Sequence, residues 1–326
     1  MEYSMMSLLA LVLGISTFAI YNGQNKPPVR KIEGKTVAVI GASSGIGRQT
    51  ALQFAQKGSN LLLVARRLEQ LAIVKAECEQ VNPKIKVELV CGDITKETTR
   101  SDIQAALNIK FGGVDFLILN AGIISVSSIN NMLSINEQTL SVSDSTVSEP
   151  HDSPSVDLNK FNAFLDRILS VNFRAPVDIA NSLLPYLYRS RGSIVVVSSV
   201  AAIISAPTRS IYCASKAALN GYFQSLRQEL SKHGVHVALV CPGTVDTDLR
   251  SSAVDLSSDT NTHSPVKISG SKTGKASPKY CAEIILDAAV NNKNIVIFPA
   301  KYKISVYLNT FFPNLIDYFA KKKYGY

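Results

Sequence analysis

Seven short runs rich in Val, Ile and Leu alternate with longer segments of helical periodicity, and this alternation constrains the fold more than any other feature of the chain. Strands that are buried on both faces of a parallel sheet are nearly continuous in such residues. Strands that alternate with helices form an open sheet covered by helices on both faces. The sequence therefore predicts a single α/β domain with a doubly wound parallel sheet of about seven strands. The expected strands are Thr36–Ile40, Asn60–Ala65, Val87–Cys91, Asp115–Leu119, Ser193–Ser198, Val235–Val240 and Asn294–Phe298.

Helical periodicity is clearest over Gly47–Lys57, Arg67–Val81 and Ile211–His233. Two irregular stretches interrupt the alternation, a Ser- and Asn-rich one at 125–158 and one with several Gly and Pro residues at 248–279. We predict that both are loops, partly disordered. They leave strand ends of the kind where open α/β sheets bind ligands. The second is expected to be a substrate loop, whereas the first fits a binding role or a tolerated surface insertion equally well.

The charge and cysteine content exclude several classes of protein. The formal net charge is +9, but much of the positive charge lies near the two ends of the chain. No basic stretch interleaved with aromatic residues occurs in the middle, so we expect no nucleic-acid partner. A surface of anionic lipid head groups fits this placement better. The cysteines are odd in number and form no C-x-x-C pair, so we predict neither a disulfide framework nor a metal site.

The N-terminal segment differs from the rest of the chain. The run from Tyr3 to Tyr21 carries no charge and is long enough to cross a hydrocarbon core of ~30 Å. We predict a membrane anchor over residues 1–25 and a linker over 26–34. A cleaved signal peptide fits less well, because the basic n-region and the small-residue cleavage site are missing. Positive charges follow the run, which favours a cytosolic catalytic domain over residues 35–300 on a membrane, expected to be the endoplasmic reticulum.

The last segment, residues 301–326, alternates apolar and aromatic positions and ends in a lysine cluster. It fits an amphipathic element that rests on the bilayer. It fits equally well a C-terminal helix packed on the domain or against a second subunit. Pro313 breaks or kinks the helix in either case.

The first predicted strand runs into the sequence GASSGIG and then into a helix. Glycines permit a tight turn and close backbone approach, and a helix N-terminus offers free N–H groups and partial positive charge to phosphate. The motif also satisfies G-x-S-x-G, the nucleophile elbow of α/β-hydrolases, with Ser43 as nucleophile. The hydrolase is the weaker hypothesis, because the nucleophile elbow usually follows several strands and no histidine occurs in a sequence context that indicates a catalytic role. The candidate phosphate-binding residues are Gly41, Ser43, Ser44, Gly45, Ile46 and Gly47.

The second predicted strand ends at Arg66 and Arg67. A dinucleotide fold that prefers NAD has an acidic residue here, ~20 residues past the glycines, to bind the ribose 2′-OH. A basic pair fits a 2′-phosphate instead, and Ser43 is placed to add a hydrogen bond. The sequence therefore favours NADP(H) over NAD(H).

Further motifs follow in order at strand ends: CGDIT with Asp93, LNAG, SVNF with Asn172, VVSS, YCASK and PGTVDT. With GASSGIG they make the chain resemble the short-chain dehydrogenase/reductase family over roughly residues 35–299, which implies a Rossmann-type fold. The anchored pattern is similar to dehydrogenase/reductase members 7 and 7B and to microsomal hydroxysteroid and keto-lipid reductases. Leu119 departs from the family's N-N-A-G, and the interval from Asn120 to Asn172 is longer than usual.

The resemblance implies roles for individual residues. Asp93 would lie at the adenine, with Ile94 a further cofactor-binding residue. Asn120, Ala121 and Gly122 would lie beside a cofactor ribose, and Pro242, Gly243 and Thr247 at the nicotinamide. The implied catalytic set is Asn172, Ser199, Tyr212 and Lys216. Ser199 is preferred to Ser198 because it precedes Tyr212 by thirteen residues. Asn172 would hold a water on the proton path. A homodimer through the helices bearing Asn172 and Tyr212 is a further expectation.

Tyr212 and Lys216 are one helical turn apart and therefore share a face. A phenol has an unperturbed pKa of ~10 and exchanges protons poorly near neutrality. A neighbouring Lys216 ammonium favours the phenolate and lowers this pKa. Such a pair suits the interconversion of a carbonyl and an alcohol with NADP(H). Tyr212 would act as the acid/base, and Ser199 would donate a hydrogen bond to the substrate oxygen. We expect a hydrophobic lipid, steroid or retinoid-like substrate. An inactive NADP-binding scaffold is the alternative, but it leaves the four catalytic candidates unexplained.

Overall fold

The computed structural model describes residues 29–135, 156–249, 253 and 275–326. A parallel sheet of seven strands runs through these parts, in the order β3-β2-β1-β4-β5-β6-β7. The predicted sheet is thereby confirmed, and the strand boundaries differ from the expected ones by at most two residues. The strands are β1 Thr36–Ile40, β2 Asn60–Ala65, β3 Val87–Cys91, β4 Phe116–Leu119, β5 Ser193–Val197, β6 His236–Pro242 and β7 Ile295–Phe298.

Helices connect the strands and extend beyond the last one. A π-helical turn follows α3 at Leu107–Phe111, and another, Ser170–Arg174, joins α5 to α6. The α-helices are α1 Gly45–Gln56, α2 Leu68–Val81, α3 Glu97–Ala106, α4 Ile129–Met132, α5 Leu158–Leu169, α6 Ala175–Ser190, α7 Ser210–Ser231, α8 Pro278–Val290, α9 Ala300–Phe311 and α10 Pro313–Tyr324.

The sheet is covered on both faces, as the apolar strands require. On one face α3, α6 and α7 pack against it through residues such as Ile103, Leu183 and Phe223. On the other face α1, α2 and α8 pack through residues such as Phe54 and Ile285. Strands β1, β2 and β5 have almost no exposed side chain, which explains why they show no polar alternation.

Asp115 was expected to open the fourth strand but lies just before it. Its carboxylate accepts hydrogen bonds from the backbone N–H of Thr36 and from the Lys35 ammonium, both at 2.9 Å. The side chain therefore joins the starts of β1 and β4. The two parallel strands are paired with Ile40 opposite Leu119, so their carboxyl ends lie side by side at the opposite edge of the sheet.

Part of the predicted Ser-rich loop differs from the expectation. Ser125 and Ser127 are buried, and the one-turn helix α4 follows them, with the Ser128 hydroxyl accepting a hydrogen bond from Asn131 N–H. Serine composition alone did not distinguish small buried residues from exposed ones. Residues 136–155 of this stretch, most of the predicted substrate loop and the predicted N-terminal anchor lie outside the described residues.

The C-terminal tail forms the two helices α9 and α10. Pro313 begins α10 directly after Phe312, so the proline does separate two helical segments. The tail packs on the domain beside β6, where Tyr302 contacts Gly243, and the side chain of Ile316 is buried. Within the described parts of the chain, no helix is both long and apolar enough to cross a bilayer.

Candidate active site

A cleft of about 680 Å³ lies at the carboxyl ends of the strands. It is centred where the strand order reverses between β1 and β4, the position at which open α/β sheets form a ligand crevice. Most of the predicted site residues meet there, whereas Gly47 and Asn172 lie behind the cleft wall. The candidates that line it are Gly41, Ser43, Ser44, Gly45, Ile46, Arg66, Arg67, Asp93, Ile94, Asn120, Ala121, Gly122, Ser199, Tyr212, Lys216, Pro242, Gly243 and Thr247.

The glycine-rich turn between β1 and α1 forms one wall of the cleft. Gly41 has φ +90°, and a Cβ there would lie 2.7 Å from the backbone nitrogen of Ala121. A Cβ on Gly47 would lie 2.0 Å from the carbonyl oxygen of Gly41, so this position also requires glycine. The side chain of Asn120 donates a hydrogen bond to the same oxygen at 3.0 Å. The tight turn leaves the N-terminus of α1 facing the cleft, where it can bind an anion.

Arg67 extends from the end of β2 across this turn. One guanidinium nitrogen, Nη2, donates to Ser43 Oγ at 3.0 Å and to Ser44 Oγ at 2.8 Å. Arg66 lines the same end of the cleft. Two cations and two hydroxyls thus converge beside the glycine turn, a donor set that suits a phosphate group.

Asp93 lies at the same end of the cleft, just after β3. Its Oδ1 accepts hydrogen bonds from the backbone N–H of Thr95 at 3.0 Å and from the Thr95 hydroxyl at 2.9 Å. Burial raises the pKa of Asp93, but these two bonds and the charge of Arg66 outweigh it and lower the pKa below its usual value. The carboxylate is therefore charged and held in place as an acceptor facing the cleft.

Tyr212 and Lys216 lie one turn apart in the first half of α7. Both side chains are buried, and both line the cleft. The Lys216 ammonium donates a hydrogen bond to the carbonyl oxygen of Val197, at the end of β5, at 3.2 Å. Burial lowers the pKa of Lys216 to about 8. The amine therefore remains largely charged at neutral pH, on the same wall as the phenol.

Asn172 lies in the π-helical turn between α5 and α6 and is fully buried. Its Oδ1 accepts from the backbone N–H of Ile123 at 2.8 Å, and its Nδ2 donates to the carbonyl oxygen of Ile123 at 2.9 Å and to Ser215 Oγ at 3.0 Å. A Cβ on Gly122 would lie 3.4 Å from Asn172 Oδ1 and 3.6 Å from Lys216 Nζ. The amide therefore fixes the loop after β4 directly beside the lysine.

Ser199 follows β5 and opens a turn of 3₁₀ helix. Its hydroxyl accepts a hydrogen bond from Ala201 N–H at 3.1 Å and faces the cleft. The neighbouring Ser198 is buried, whereas Ser199 is half-buried. This difference favours Ser199 as the hydroxyl that can reach a bound molecule.

The cleft is also lined by many residues that were not among the predicted site residues, and four of them form one connected set of charged and aromatic side chains. Tyr302, in α9, packs its ring against Gly243, and its hydroxyl is 3.3 Å from Thr244 Oγ1 and 3.5 Å from Lys323 Nζ. Burial raises the pKa of Tyr302, but the bond to Thr244 and the charge of Lys323 outweigh it, so that the pKa is lowered. The four residues are Arg209, Tyr302, Lys323 and Tyr324. The aromatic and lysine pattern of the tail could have drawn attention to three of them, but nothing in the sequence connects that pattern with the cleft.

A family model described as short chain dehydrogenase matches residues 35–256, well over half of the chain. The chain belongs to this family. Hydroxysteroid 11-beta-dehydrogenase 1-like protein A from Xenopus laevis is 30% identical over 318 residues, covering 95% of this chain and 93% of that protein. Human dehydrogenase/reductase SDR family member 7 is 30% identical over 295 residues, covering 89% and 78%. The chain is therefore a short chain dehydrogenase similar to hydroxysteroid dehydrogenase-like proteins, and an oxidoreductase of a family that uses a nicotinamide cofactor.

Solved structures have the same fold. A metagenomic short-chain oxidoreductase in complex with NADP superposes with a TM-score of 0.59 at 22% identity, covering 82% of this chain and 97% of that one. An alcohol dehydrogenase from the archaeon Thermococcus sibiricus, complexed with 5-hydroxy-NADP, gives 0.62 at 20% identity, with coverage of 82% and 97%.

The hydrolase alternative finds no support in the geometry of this short chain dehydrogenase. Ser43 lines the cleft, but no histidine lies among the described residues around it. His236 lies at the opposite edge of the sheet, at the start of β6, with Nδ1 3.1 Å from Ser193 Oγ. Burial and the charge of Arg30 lower the pKa of His236 to about 4. Ser43 instead contacts Arg67, as a residue of a phosphate site would.

Proposed function

We propose that this short chain dehydrogenase is an NADP(H)-dependent enzyme that interconverts a carbonyl and a secondary alcohol on a hydrophobic substrate. One observation carries the proposal: Tyr212 and the buried Lys216 lie on the same wall of a cleft that also contains the glycine turn and Arg67. The proton donor, its activating cation and the phosphate-binding turn are therefore within one ligand site. An inactive NADP-binding scaffold would need only the phosphate-binding turn.

The proposed mechanism assigns each step to a side chain of this chain. When bound, NADPH supplies the hydride that adds to the substrate carbonyl carbon. Tyr212 then transfers its proton to the carbonyl oxygen, and Ser199 donates a hydrogen bond to that oxygen as negative charge develops. Lys216 stabilises the resulting phenolate from the same cleft wall, where the carbonyl oxygen of Val197 holds its ammonium. Asn172 fixes the loop at Gly122 and offers its remaining acceptor to a water that resupplies the proton.

The proposed preference for NADP(H) rests on Arg67 and Ser43. Their hydrogen bond of 3.0 Å already holds the guanidinium at the glycine turn. A 2′-phosphate in this position would accept hydrogen bonds from both groups, and Arg66 adds a second positive charge. NAD(H) would place only a hydroxyl there. Asp93 and Ile94 would contact the adenosine half, with Asn120, Ala121 and Gly122 beside a cofactor ribose.

The proposed substrate is lipid-, steroid- or retinoid-like. The part of the cleft beyond Tyr212 is largely apolar, and several relatives found in the comparison carry hydroxysteroid dehydrogenase names. The apolar side chains of this part are Ile123, Ile124, Val171, Val200, Ile204, Leu249, Ile316 and Phe319.

We further propose that the enzyme works at a membrane, on the endoplasmic reticulum with the catalytic domain in the cytosol. Large apolar side chains of α9 and α10 are exposed, among them Tyr307 at 63%, Phe311 at 75% and Tyr318 at 58%. Together with the lysines of α10 they suit an interface of anionic lipid. Protease treatment of intact microsomes tests the orientation. A catalytic domain that survives without detergent would contradict a cytosolic location.

A homodimer through the helices bearing Asn172 and Tyr212 is also proposed. Tyr188 and Tyr222 form part of a shallow groove on the outer faces of α6 and α7. Sedimentation of the detergent-solubilised chain should give twice the monomer mass, and a Tyr188→Glu variant should sediment as a monomer. Wild-type protein that sediments as a monomer would contradict this assignment.

Cofactor binding and carbonyl turnover distinguish the proposed functions. Titration by cofactor fluorescence should show tighter binding of NADPH than of NADH, and membrane-lipid and steroid ketones should be screened for NADPH oxidation at 340 nm. Binding without turnover of any ketone would favour the scaffold. Ester hydrolysis that depends on Ser43 and is indifferent to NADPH would favour the hydrolase.

A further inference from the structure

The loop at residues 243–247, which we call the nicotinamide loop, follows β6 and lines the cleft. It begins at Gly243, which the proposed function places at the nicotinamide, and ends at Thr247. A Cβ on Gly45 would lie 3.2 Å from Thr247 Cγ2, so the end of the loop contacts the glycine turn. The loop therefore extends from the nicotinamide end of the proposed cofactor site to its phosphate-binding end.

The backbone of the nicotinamide loop is held from two directions. The Gly243 N–H donates a hydrogen bond to the carbonyl oxygen of Phe298, at the end of β7, at 2.8 Å. The carbonyl oxygen of Thr244 accepts from the Ala276 N–H at 2.9 Å, and the Asp246 N–H donates to the carbonyl oxygen of Ala276 at 3.0 Å. Strand β7 and the segment before α8 thus hold the loop through its main chain.

Tyr302, in α9, contacts the loop from a third direction. A Cβ on Gly243 would lie 2.0 Å from Tyr302 Cε2, so the ring packs directly against the Gly243 backbone. The Tyr302 hydroxyl lies 3.3 Å from Thr244 Oγ1, which is long for a hydrogen bond, and 3.5 Å from Lys323 Nζ. Because an ammonium can only donate, the phenol oxygen accepts from Lys323 and its own proton is left for Thr244.

The contact joins two parts of the chain that are distant in sequence. The family model matches residues 35–256, which include the nicotinamide loop but not Tyr302. The tail therefore adds a side chain to a site whose other proposed residues lie within the matched part. A loop that is already held in its binding conformation loses less conformational entropy when a ligand binds. Ordering a single backbone residue weakens affinity by about a factor of ten.

We propose that Tyr302 is a positioning residue for the nicotinamide half of the cofactor. Its ring and hydroxyl would hold the nicotinamide loop in the conformation that binds the nicotinamide, although the side chain itself need not touch the cofactor. The proposal rests on the proposed function for the identity of the cofactor and for the end of it that lies at Gly243. It gives the C-terminal tail a role in cofactor binding, in addition to contact with a membrane.

Two ligands that differ in the nicotinamide test this role. NADPH and adenosine 2′,5′-bisphosphate, which has the 2′-phosphate but no nicotinamide, should be titrated in calorimetry into the full-length wild type, Tyr302→Ala and Tyr302→Phe. We expect Tyr302→Ala to raise the Kd of NADPH about tenfold, because the loop must then be ordered on binding. Tyr302→Phe keeps the ring and loses one long hydrogen bond, so we expect a rise of about threefold.

The Kd of the bisphosphate should be unchanged in both variants, which would also show that they are folded. Equal weakening of both ligands would mean that Tyr302 only supports the fold, and would overturn the proposal. Unchanged binding of NADPH in Tyr302→Ala would overturn it as well.

Tyr326→Phe is the matched control, because Tyr326 also belongs to the tail but is 64% exposed and does not line the cleft. It should leave the Kd of both ligands unchanged. Thr244→Val tests the contact itself. In that background Tyr302→Phe should have no further effect on NADPH, because the hydroxyl has already lost its acceptor. A further loss of about threefold in the double variant would contradict the proposed contact.

These outcomes separate the positioning role from the proposed function. Selective weakening of NADPH by Tyr302→Ala, in a protein that oxidises no NADPH with any ketone, would keep the positioning role and remove the reductase. Turnover of a ketone at the wild-type rate by Tyr302→Ala, with wild-type binding of NADPH, would keep the reductase and remove the positioning role. If both hold, kcat/KM for NADPH should fall in Tyr302→Phe by at least the factor found for binding.

Discussion

Replacement of Arg67 with Met should reduce the preference for NADPH over NADH about tenfold. The Arg67 guanidinium lies at the glycine turn, bonded to Ser43 at 3.0 Å and Ser44 at 2.8 Å. A 2′-phosphate at this position would replace water and the serine hydroxyls as the acceptor. Methionine fills similar volume but donates no hydrogen bond, so NADPH loses its charged partner and NADH loses almost nothing.

The magnitude follows from the exposure of the site. A hydrogen bond to a charged group contributes about 1.5–3 kcal/mol, and because Arg67 is exposed, solvent screening favours the lower end, about 1.5 kcal/mol. That value corresponds to a roughly tenfold rise in the Kd of NADPH, with the Kd of NADH changed less than about twofold. The assay is fluorescence titration of both cofactors, with Lys57→Met as a control that removes a positive charge at the other end of α1. Equal weakening of NADPH and NADH, or equal effects of the two variants, would refute the assignment of Arg67.

Three further changes test other parts of the structure. Gly243→Ala would place a Cβ 2.0 Å from Tyr302 Cε2, so we expect the tail to become sensitive to protease. A second substitution, Tyr302→Ala, in the same chain should restore resistance. A Gly243→Ala variant that resists protease would contradict this packing. Asn172→Ala should lower the free energy of unfolding by about 1–3 kcal/mol, because the half-buried backbone N–H and C=O of Ile123 and the buried Ser215 hydroxyl lose their partner. An unchanged denaturation midpoint in urea would contradict this role. Burial lowers the pKa of Lys216 from 10.5 in the unfolded chain to about 8 in the folded one. Between these two pH values the unfolded state binds more protons than the folded state. The free energy of unfolding should therefore rise with pH in this range, by up to ~1.4 kcal/mol per pH unit. Lys216→Met should lack that rise in the protein without cofactor, and identical pH dependence of both proteins would show that the lysine is not buried.

The arrangement of the sheet could be predicted from the sequence because its physical cause is local. Strands such as β2 and β5 are buried on both faces, and the resulting unbroken apolar runs are visible without any partner strand. Strand boundaries depend on contacts distant in sequence where a polar side chain has a structural role. Asp115 reads as part of a strand, but its carboxylate bonds to Thr36 and holds it outside β4.

The candidate site could be predicted where its residues are close in sequence. Tyr212 and Lys216 share a helix face by their spacing alone, and Gly41 and Gly47 belong to one turn. The contribution of the tail could not be predicted, because Tyr302 and Gly243 meet only through the packing of α9 beside β6. The buried serines after β4 were missed for a similar reason, since composition does not reveal which loop is covered by other elements.

The central claim is that Tyr212, activated by Lys216, transfers the proton that accompanies hydride transfer. The most direct measurement is single-turnover oxidation of NADPH by the full-length protein with an accepted ketone, followed at 340 nm, for wild type, Tyr212→Phe and the control Tyr222→Phe. Tyr222 lies on the same helix, but its hydroxyl bonds to Asn181 outside the cleft. We expect Tyr212→Phe to bind NADPH within about twofold of wild type and to react at least ~10²-fold more slowly, with Tyr222→Phe unchanged. A Tyr212→Phe variant that oxidises NADPH at the wild-type rate would contradict the account.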